Sequence, residues 1–182
     1  LIGLSESVAG ERQNLRLREW MNAGVSNGIW GKGLFYLLLF SSYAFFFLNV
    51  NYKILDLPQR ANGLELGILL VLFIATLVPM AQFIGSLFKS QLVCLQMMAF
   101  STYPIFLITG YSWPHESLPL LLQWLANLLP TTPFIAIYTR MVQSGAGLWE
   151  NASALFHLIF LWIFYSFICF VRIKRLLINL NK

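Results

Sequence analysis

Four stretches of this chain are so long and so apolar that a bilayer is the only solvent that suits them: residues 34–50, 64–88, 92–111 and 152–171. A helix needs about 20 mostly apolar residues to cross the hydrocarbon core, and each stretch approaches or passes that length. Helix is the form such a segment must take, because with no water present every backbone N–H and C=O has to be paired internally. Composition agrees: 58% of the residues are hydrophobic and 10% charged, with a mean hydropathy of +0.71, against roughly 25% charged in soluble domains. The sequence therefore predicts an all-α membrane protein with four transmembrane helices. Pro79 and Pro104 fall inside the second and third spans, where kinks are expected. Cys94 and Cys169 also lie inside apolar blocks and read as small buried hydrophobes rather than as a disulfide or metal ligands. The chain opens at Leu1, and its first residues lack the basic, apolar and small-residue order of a signal peptide. Part of a longer polypeptide is the expectation.

Loop charge orients the spans. With the N-terminal segment cytoplasmic, Arg12, Arg16, Arg18, Lys32, Lys89, Arg172, Lys174, Arg175 and Lys182 lie inside, and only Lys53, Arg60 and Arg140 lie outside. That is the bias of the positive-inside rule, and it puts both termini in the cytoplasm. The net charge of +5 is thus a topological signal, which anchoring to anionic head groups would reinforce. Nucleic acid is not an expected partner, since the basic residues are spread over separate loops rather than gathered in one stripe. The chain divides into a cytoplasmic segment 1–33, a transmembrane domain 34–171 and a basic cytoplasmic tail 172–182.

This orientation leaves residues 112–151 on the outer face although they are mostly apolar, and in water they would expose a large hydrophobic patch. Prolines cut the stretch into two pieces, 118–129 with Pro119 near its start, where a missing N–H is tolerated, and 133–143 opened by Pro133. Each is about 11 residues, or about 16 Å of helix, half a membrane. A re-entrant or interfacial helical hairpin over about 114–143 is expected, with Trp113, Trp124, Tyr138 and Trp149 at head-group depth. A fifth full span would put the C-terminal Arg-Ile-Lys-Arg cluster outside and reverse the charge bias.

The N-terminal segment mixes charges of both signs with Leu15, Leu17, Trp20 and Met21, and helix formers occupy 11–21. Gly24, Asn27, Gly28, Gly31 and Gly33 follow as breakers. A short amphipathic helix on the cytoplasmic surface with a flexible joint after it is predicted. Lying in the interface and docking a cytoplasmic partner both fit.

Catalytic signals are scarce. Gly28-Ile-Trp-Gly-Lys-Gly33 is not a phosphate-binding loop, because its spacing fails and no strand precedes it. His115 beside Glu116, and the isolated His157, lack the partners of a metal site or a nucleophilic dyad. A histidine near the end of a span more often hydrogen-bonds a neighbouring helix. Uncharged polar groups within the spans remain: Ser42 and Asn49, Gln82 and Ser86, Thr102 and Thr109, each pair on one helix face. Helix packing and a path for an amphiphile both account for them.

The order of these features resembles a known family. Glu11-Arg12, then Gly31-Lys32 at the mouth of a span, is similar to the cytoplasmic signature of type-2 ATP-binding-cassette (ABC) exporter permeases. The outer stretch carries more of the likeness: Ile108-Thr109-Gly110, Trp113-Pro114, Glu116-Ser117, Pro119, Trp124-Leu125, Leu129-Pro130, Arg140 and Gly145-Ala146-Gly147. It matches a glycine-ended fifth span, an outer Pro-x-Glu-Ser-x-Pro turn, an amphipathic stretch ending in Leu-Pro, an arginine, and Gly-Ala-Gly before the sixth span. The Gly-Thr that often follows the Glu-Arg pair is absent here, with Asn14-Leu15-Arg16-Leu17-Arg18 in its region.

The resemblance implies a permease subunit of a cell-membrane exporter, in the bacterial inner membrane. Its partners would be a second permease copy or homologue, membrane lipid, an ATP-binding-cassette nucleotide-binding subunit and, as a further candidate, a periplasmic adaptor. No cofactor would be bound by this chain, and ATP with Mg would sit on the partner subunit. Residues 6–21 would be the coupling helix, with Glu6, Glu11, Arg12 and Arg16 as its polar contacts. Glu116 and Arg140 would belong to the outer cap. Gln82, Ser86, Thr102 and Thr109 would line the translocation path of an amphiphilic substrate such as a drug, lipid or glycan. A membrane-bound lipid-modifying enzyme using His115 and Glu116, and a non-transporting anchor subunit, are the alternative classes.

Overall fold

The structure, a computed structural model, describes residues 1–14, 24–47, 54, 60–110 and 117–180, without the side chains of 179 and 180. Seven α-helices and one 3-10 turn make up this part, and no strand occurs among the described residues. The helices are α1 (Ile2–Gln13), α2 (Val25–Phe46), α3 (Gly63–Leu87), α4 (Gln91–Ile108), α5 (Leu120–Asn127), α6 (Thr131–Ser144) and α7 (Ala152–Leu180), with the 3-10 turn Leu148–Asn151 leading into α7. By length and apolarity α2, α3, α4 and α7 can each cross a membrane, the four spans expected.

The first span begins at Val25, so the glycine-rich stretch expected to be a flexible joint is instead the opening turns of α2. Tertiary packing overrides the weak helix propensity of glycine here. A Cβ on Gly33 would come within 3.0 Å of Val78 Cγ1 and 3.5 Å of Gln82 Nε2, so the missing side chain is what lets α2 approach α3. Helices α3 and α4 run through Pro79 and Pro104 without interruption. In α4 the Thr102 hydroxyl donates to Met98 O at 3.0 Å and Ser101 to the same carbonyl at 2.9 Å.

Helix α3 is the centre of the bundle. It buries Leu66, Leu69, Ile74, Thr76, Met80, Ala81, Gln82, Gly85 and Ser86, packing against α7, α1, α2 and α6. Helix α7 answers with Leu155, Leu158, Leu161, Tyr165, Cys169, Ile173, Leu176 and Leu177, spaced three and four apart along one face. At one end Leu66, Leu69, Ile137, Met141, Leu148, Leu155 and Leu158 form a core joining α3, α6 and α7. Phe73 stacks on Phe134 beside it, with ring centroids 4.1 Å apart. At the other end Leu4, Val8 and Ala81 join α1 to α3.

Helices α2 and α4 bury little: only Gly33 in the first, and Cys94 and Met98 in the second. Their outward residues are large and apolar, Phe100 being 83% exposed. Such a surface is ruinous in water and neutral in hydrocarbon, so these faces belong against lipid or another membrane chain.

Pro119 and Pro130 sit just before α5 and α6, where no intrahelical N–H is needed. The two helices meet at 82° across a short break. Helix α7 holds the corner: His157 Nε2 donates to Asn127 O at 2.9 Å and Tyr165 Oη to Leu128 O at 2.8 Å.

Candidate coupling site

Helix α1 is fastened across the end of the bundle where α3 stops and α4 starts. Ser5, fully buried, donates its hydroxyl to Ala81 O at 3.0 Å. One turn further along α3 a Cβ on Gly85 would collide with the Ser5 carbonyl oxygen. Ala81 and Gly85 are four apart, the small-residue spacing that permits close helix crossings. This spacing stands in the sequence as Ala-Gln-Phe-Ile-Gly and was the available signal for the contact.

The charged residues of α1 then reach three spans. Arg12 Nη1 donates to Ser86 O at 2.6 Å and Phe88 O at 3.1 Å, satisfying carbonyls that the end of α3 leaves open and placing a cation at the negative end of its dipole. Burial, and after it the charge of Arg172 on α7, pulls the Arg12 pKa down from its ordinary value. Glu11 pairs with Lys32 of α2, Nζ to Oε1 at 2.6 Å, with the two side chains 28% and 12% exposed. The other carboxylate oxygen of Glu11 is buried with no partner among the described residues. Gln13 Oε1 accepts from the backbone N–H of Gln91, and Glu6 Oε1 accepts from the Gln91 side chain at 2.9 Å. Both contacts fall at the start of α4. Thus Glu6, Glu11 and Arg12 each fasten α1 to a different span, while Arg16 lies outside the described residues. Lys32, Gln13 and Gln91 take part in these contacts, and nothing in the sequence singled out the two glutamines.

Of the residues considered for a path, Gln82 is fully buried where α2, α3 and α7 meet. It donates to Ile29 O at 3.0 Å and accepts from Cys169 Sγ at 3.6 Å. It also lines a cavity of about 410 Å³ shared with Trp30, Pro79, Trp162 and Ser166. Ser86 is buried and bonded to Phe83 O at 2.6 Å, and Thr102 is exposed.

Thr109 and Arg140 come together at the opposite end of the bundle. Both line a cavity of about 680 Å³ bounded by the end of α4, by α6 and by the start of α7. Glu65 closes the bundle near this end: its Oε2 accepts the Leu148 N–H at 2.6 Å, and Asn62 Oδ1 caps the helix by accepting from Leu64 N at 3.2 Å. Glu116 and His115 lie outside the described residues. No group of three His, Cys, Asp or Glu side chains is placed to hold a metal among the described residues.

A family model described as ABC-2 family transporter protein matches residues 1–171. No curated protein and no solved structure matches the chain.

Proposed function

Because the chain belongs to the ABC-2 transporter family and is a multi-pass membrane permease of an ABC transporter, we propose that α1 is the element through which ATP hydrolysis moves the spans. Membership implies association with an ABC ATP-binding subunit; that subunit binds ATP with Mg, and this chain works as one of two permease copies or homologues. The transported molecule is an amphiphile carried outward, and the membrane is the bacterial inner membrane with the α1 end cytoplasmic. The concentration of Arg12, Lys32, Lys89, Arg172, Lys174 and Arg175 around that end supports the orientation.

One observation carries the reading: α1 is tied by charge-assisted bonds to α2 through Glu11 and Lys32 and to the end of α3 through Arg12, and to the start of α4 by hydrogen bonds from the Gln91 amides to Gln13 and Glu6. A rigid helix so joined passes a displacement to three spans at once. The second carboxylate oxygen of Glu11, buried with no partner among the described residues, is a further acceptor at this junction. The coupling element read from the sequence covers residues 6–21, and Arg16 is assigned to its polar contacts on that reading alone. At the far end, α5 and α6 form a re-entrant cap, each too short to cross alone, with Glu116 and Arg140 as its polar features. Gln82, Ser86, Thr102 and Thr109 serve the path between the two ends.

The test is charge reversal at Glu11→Lys with Arg12→Glu in the assembled transporter. ATPase activity in the complex and its co-purification are both expected to fall, while a reversal at exposed Lys174→Glu leaves them unchanged. Unaltered capture and hydrolysis in the double variant would sink the coupling role of α1.

A further inference from the structure

Arg140 at the end of α6 and Glu150 in the 3-10 turn line the same 680 Å³ cavity, yet they form no ion pair with each other, and neither side chain has a hydrogen-bond partner among the described residues. Opposite charges sharing one concavity without meeting leave one donor cluster and one acceptor cluster to be satisfied from outside. Gln143, likewise without a side-chain bond among the described residues, offers a further amide there, and the floor is polar, formed by the buried Thr109 and Asn151. In this otherwise apolar chain such a lining is exceptional. The cavity lies at the ends of the spans, level with the α5–α6 corner, which is head-group depth if the spans cross the bilayer.

We propose that this cavity binds the zwitterionic head group of a phospholipid, with the phosphate on Arg140 and the ammonium on Glu150. A guanidinium offers a phosphate two parallel donors, and a carboxylate accepts from an ammonium. A singly charged anion satisfies only one of the two residues, and the volume exceeds what a simple ion fills. Ile135 and Ala136 of α6 and Ala154 of α7 also line the cavity and give the glycerol backbone an apolar surface to lie on. The proposal rests on the reading of the chain as membrane-spanning and not on its coupling to an ATPase.

The test uses the intact permease in nanodiscs holding phosphatidylethanolamine and phosphatidylglycerol at equal mole fraction, followed by native mass spectrometry of the lipid retained after detergent extraction. Wild type is expected to keep phosphatidylethanolamine over phosphatidylglycerol. Losing one charge-assisted contact weakens a ligand about tenfold, so Glu150→Gln should abolish the preference and Arg140→Gln should lower retention of both lipids. Arg140→Lys, which keeps the cation, should retain most of it and shows that the site still folds. Equal retention of the two lipids by wild type, or a preference unchanged in both Gln variants, overturns the proposal. So does binding of soluble O-phosphoethanolamine in phosphatidylglycerol-only discs as tightly as the lipid, which would assign the site to a free phosphate ester. Because no ATPase or transport is measured, these failures leave the permease reading standing.

Discussion

The carbonyl oxygen of Ser5 occupies the space in which a side chain on Gly85 would begin. The Ser5 hydroxyl meanwhile reaches Ala81 O, one turn earlier on α3, so the two helices touch backbone to backbone. Gly85→Ala must therefore push α1 away from α3, and the obstructing atom is main chain, which cannot rotate aside. Overpacking of this kind costs about 1–3 kcal/mol. A lowered thermal unfolding midpoint of the purified complex is expected, together with weaker coupling of ATP hydrolysis. Gly67→Ala, on the same helix with nothing within 4 Å of the added carbon, serves as the control and should be neutral or slightly stabilising.

The Glu11–Lys32 pair predicts a non-additive result. Glu11→Lys alone sets two cations together and Lys32→Glu alone sets two anions together, so each should destabilise the junction of α1 with α2. The swap of both restores opposite charges at similar positions. Since both side chains are mostly buried, a coupling of about 1–3 kcal/mol is expected, read from unfolding midpoints of the two singles and the double. Additive losses would show that the 2.6 Å contact contributes nothing to the docking of α1.

Four spans were legible in the sequence because the demand that creates them is one of composition: about 20 apolar residues in a row answer to the bilayer wherever they pack. The division into two short helices was legible for a similar reason, since proline chemistry is local, although the second piece was read as opening at Pro133 whereas α6 opens at Thr131, just after Pro130. What escaped was decided by neighbours. Val25 to Gly33 read as a joint, because propensity cannot foresee that Gly33 is the close-approach point for Val78. The amphipathic helix expected over 11–21 lies mostly outside the described residues, and the sequence did not foresee the helix before it: α1 begins at Ile2 and buries Leu4, Ser5, Val8 and Ala9, its apolar stripe too short to stand out without α3 opposite. Gln82 was visible as a polar residue in a span, but its partners, Ile29 O and Cys169 Sγ, come from two other helices. His157 was better served, because a lone histidine near a span end already suggests a bond to a neighbouring helix, and Asn127 O supplies it.

Glu65 is the acidic residue in the first turn of α3, where the helix dipole favours it, and its Oε2 also takes the N–H of the largely buried Leu148. Glu65→Ala leaves that N–H without an acceptor at the turn that launches α7, costing about 1–3 kcal/mol. Glu65→Gln keeps a carbonyl acceptor at the same reach and should recover most of the loss. Hydrogen exchange at the Leu148 amide separates the cases: rapid in the alanine variant, near wild type in the glutamine one.

His157 and Tyr165 stand eight residues apart on one face of α7 and donate to Asn127 O and Leu128 O. These are carbonyls at the C-terminal end of α5, where helix geometry leaves acceptors open. Both bonds therefore act on the 82° corner between α5 and α6, and α7 fixes the direction in which the pair leaves the bundle. Tyr165→Phe removes one donor without changing the ring, at a cost of about 1 kcal/mol. His157→Leu removes the other. If the corner moves as a unit, each single variant leaves it anchored by the remaining bond, and only the double variant frees it. Amide exchange across 120–130 in nanodiscs should then rise slightly in the singles and by more than their product in the double. An exchange rate unchanged in the double variant would leave the corner to Pro130 and Pro133 and the Phe73–Phe134 stack, with α7 a bystander.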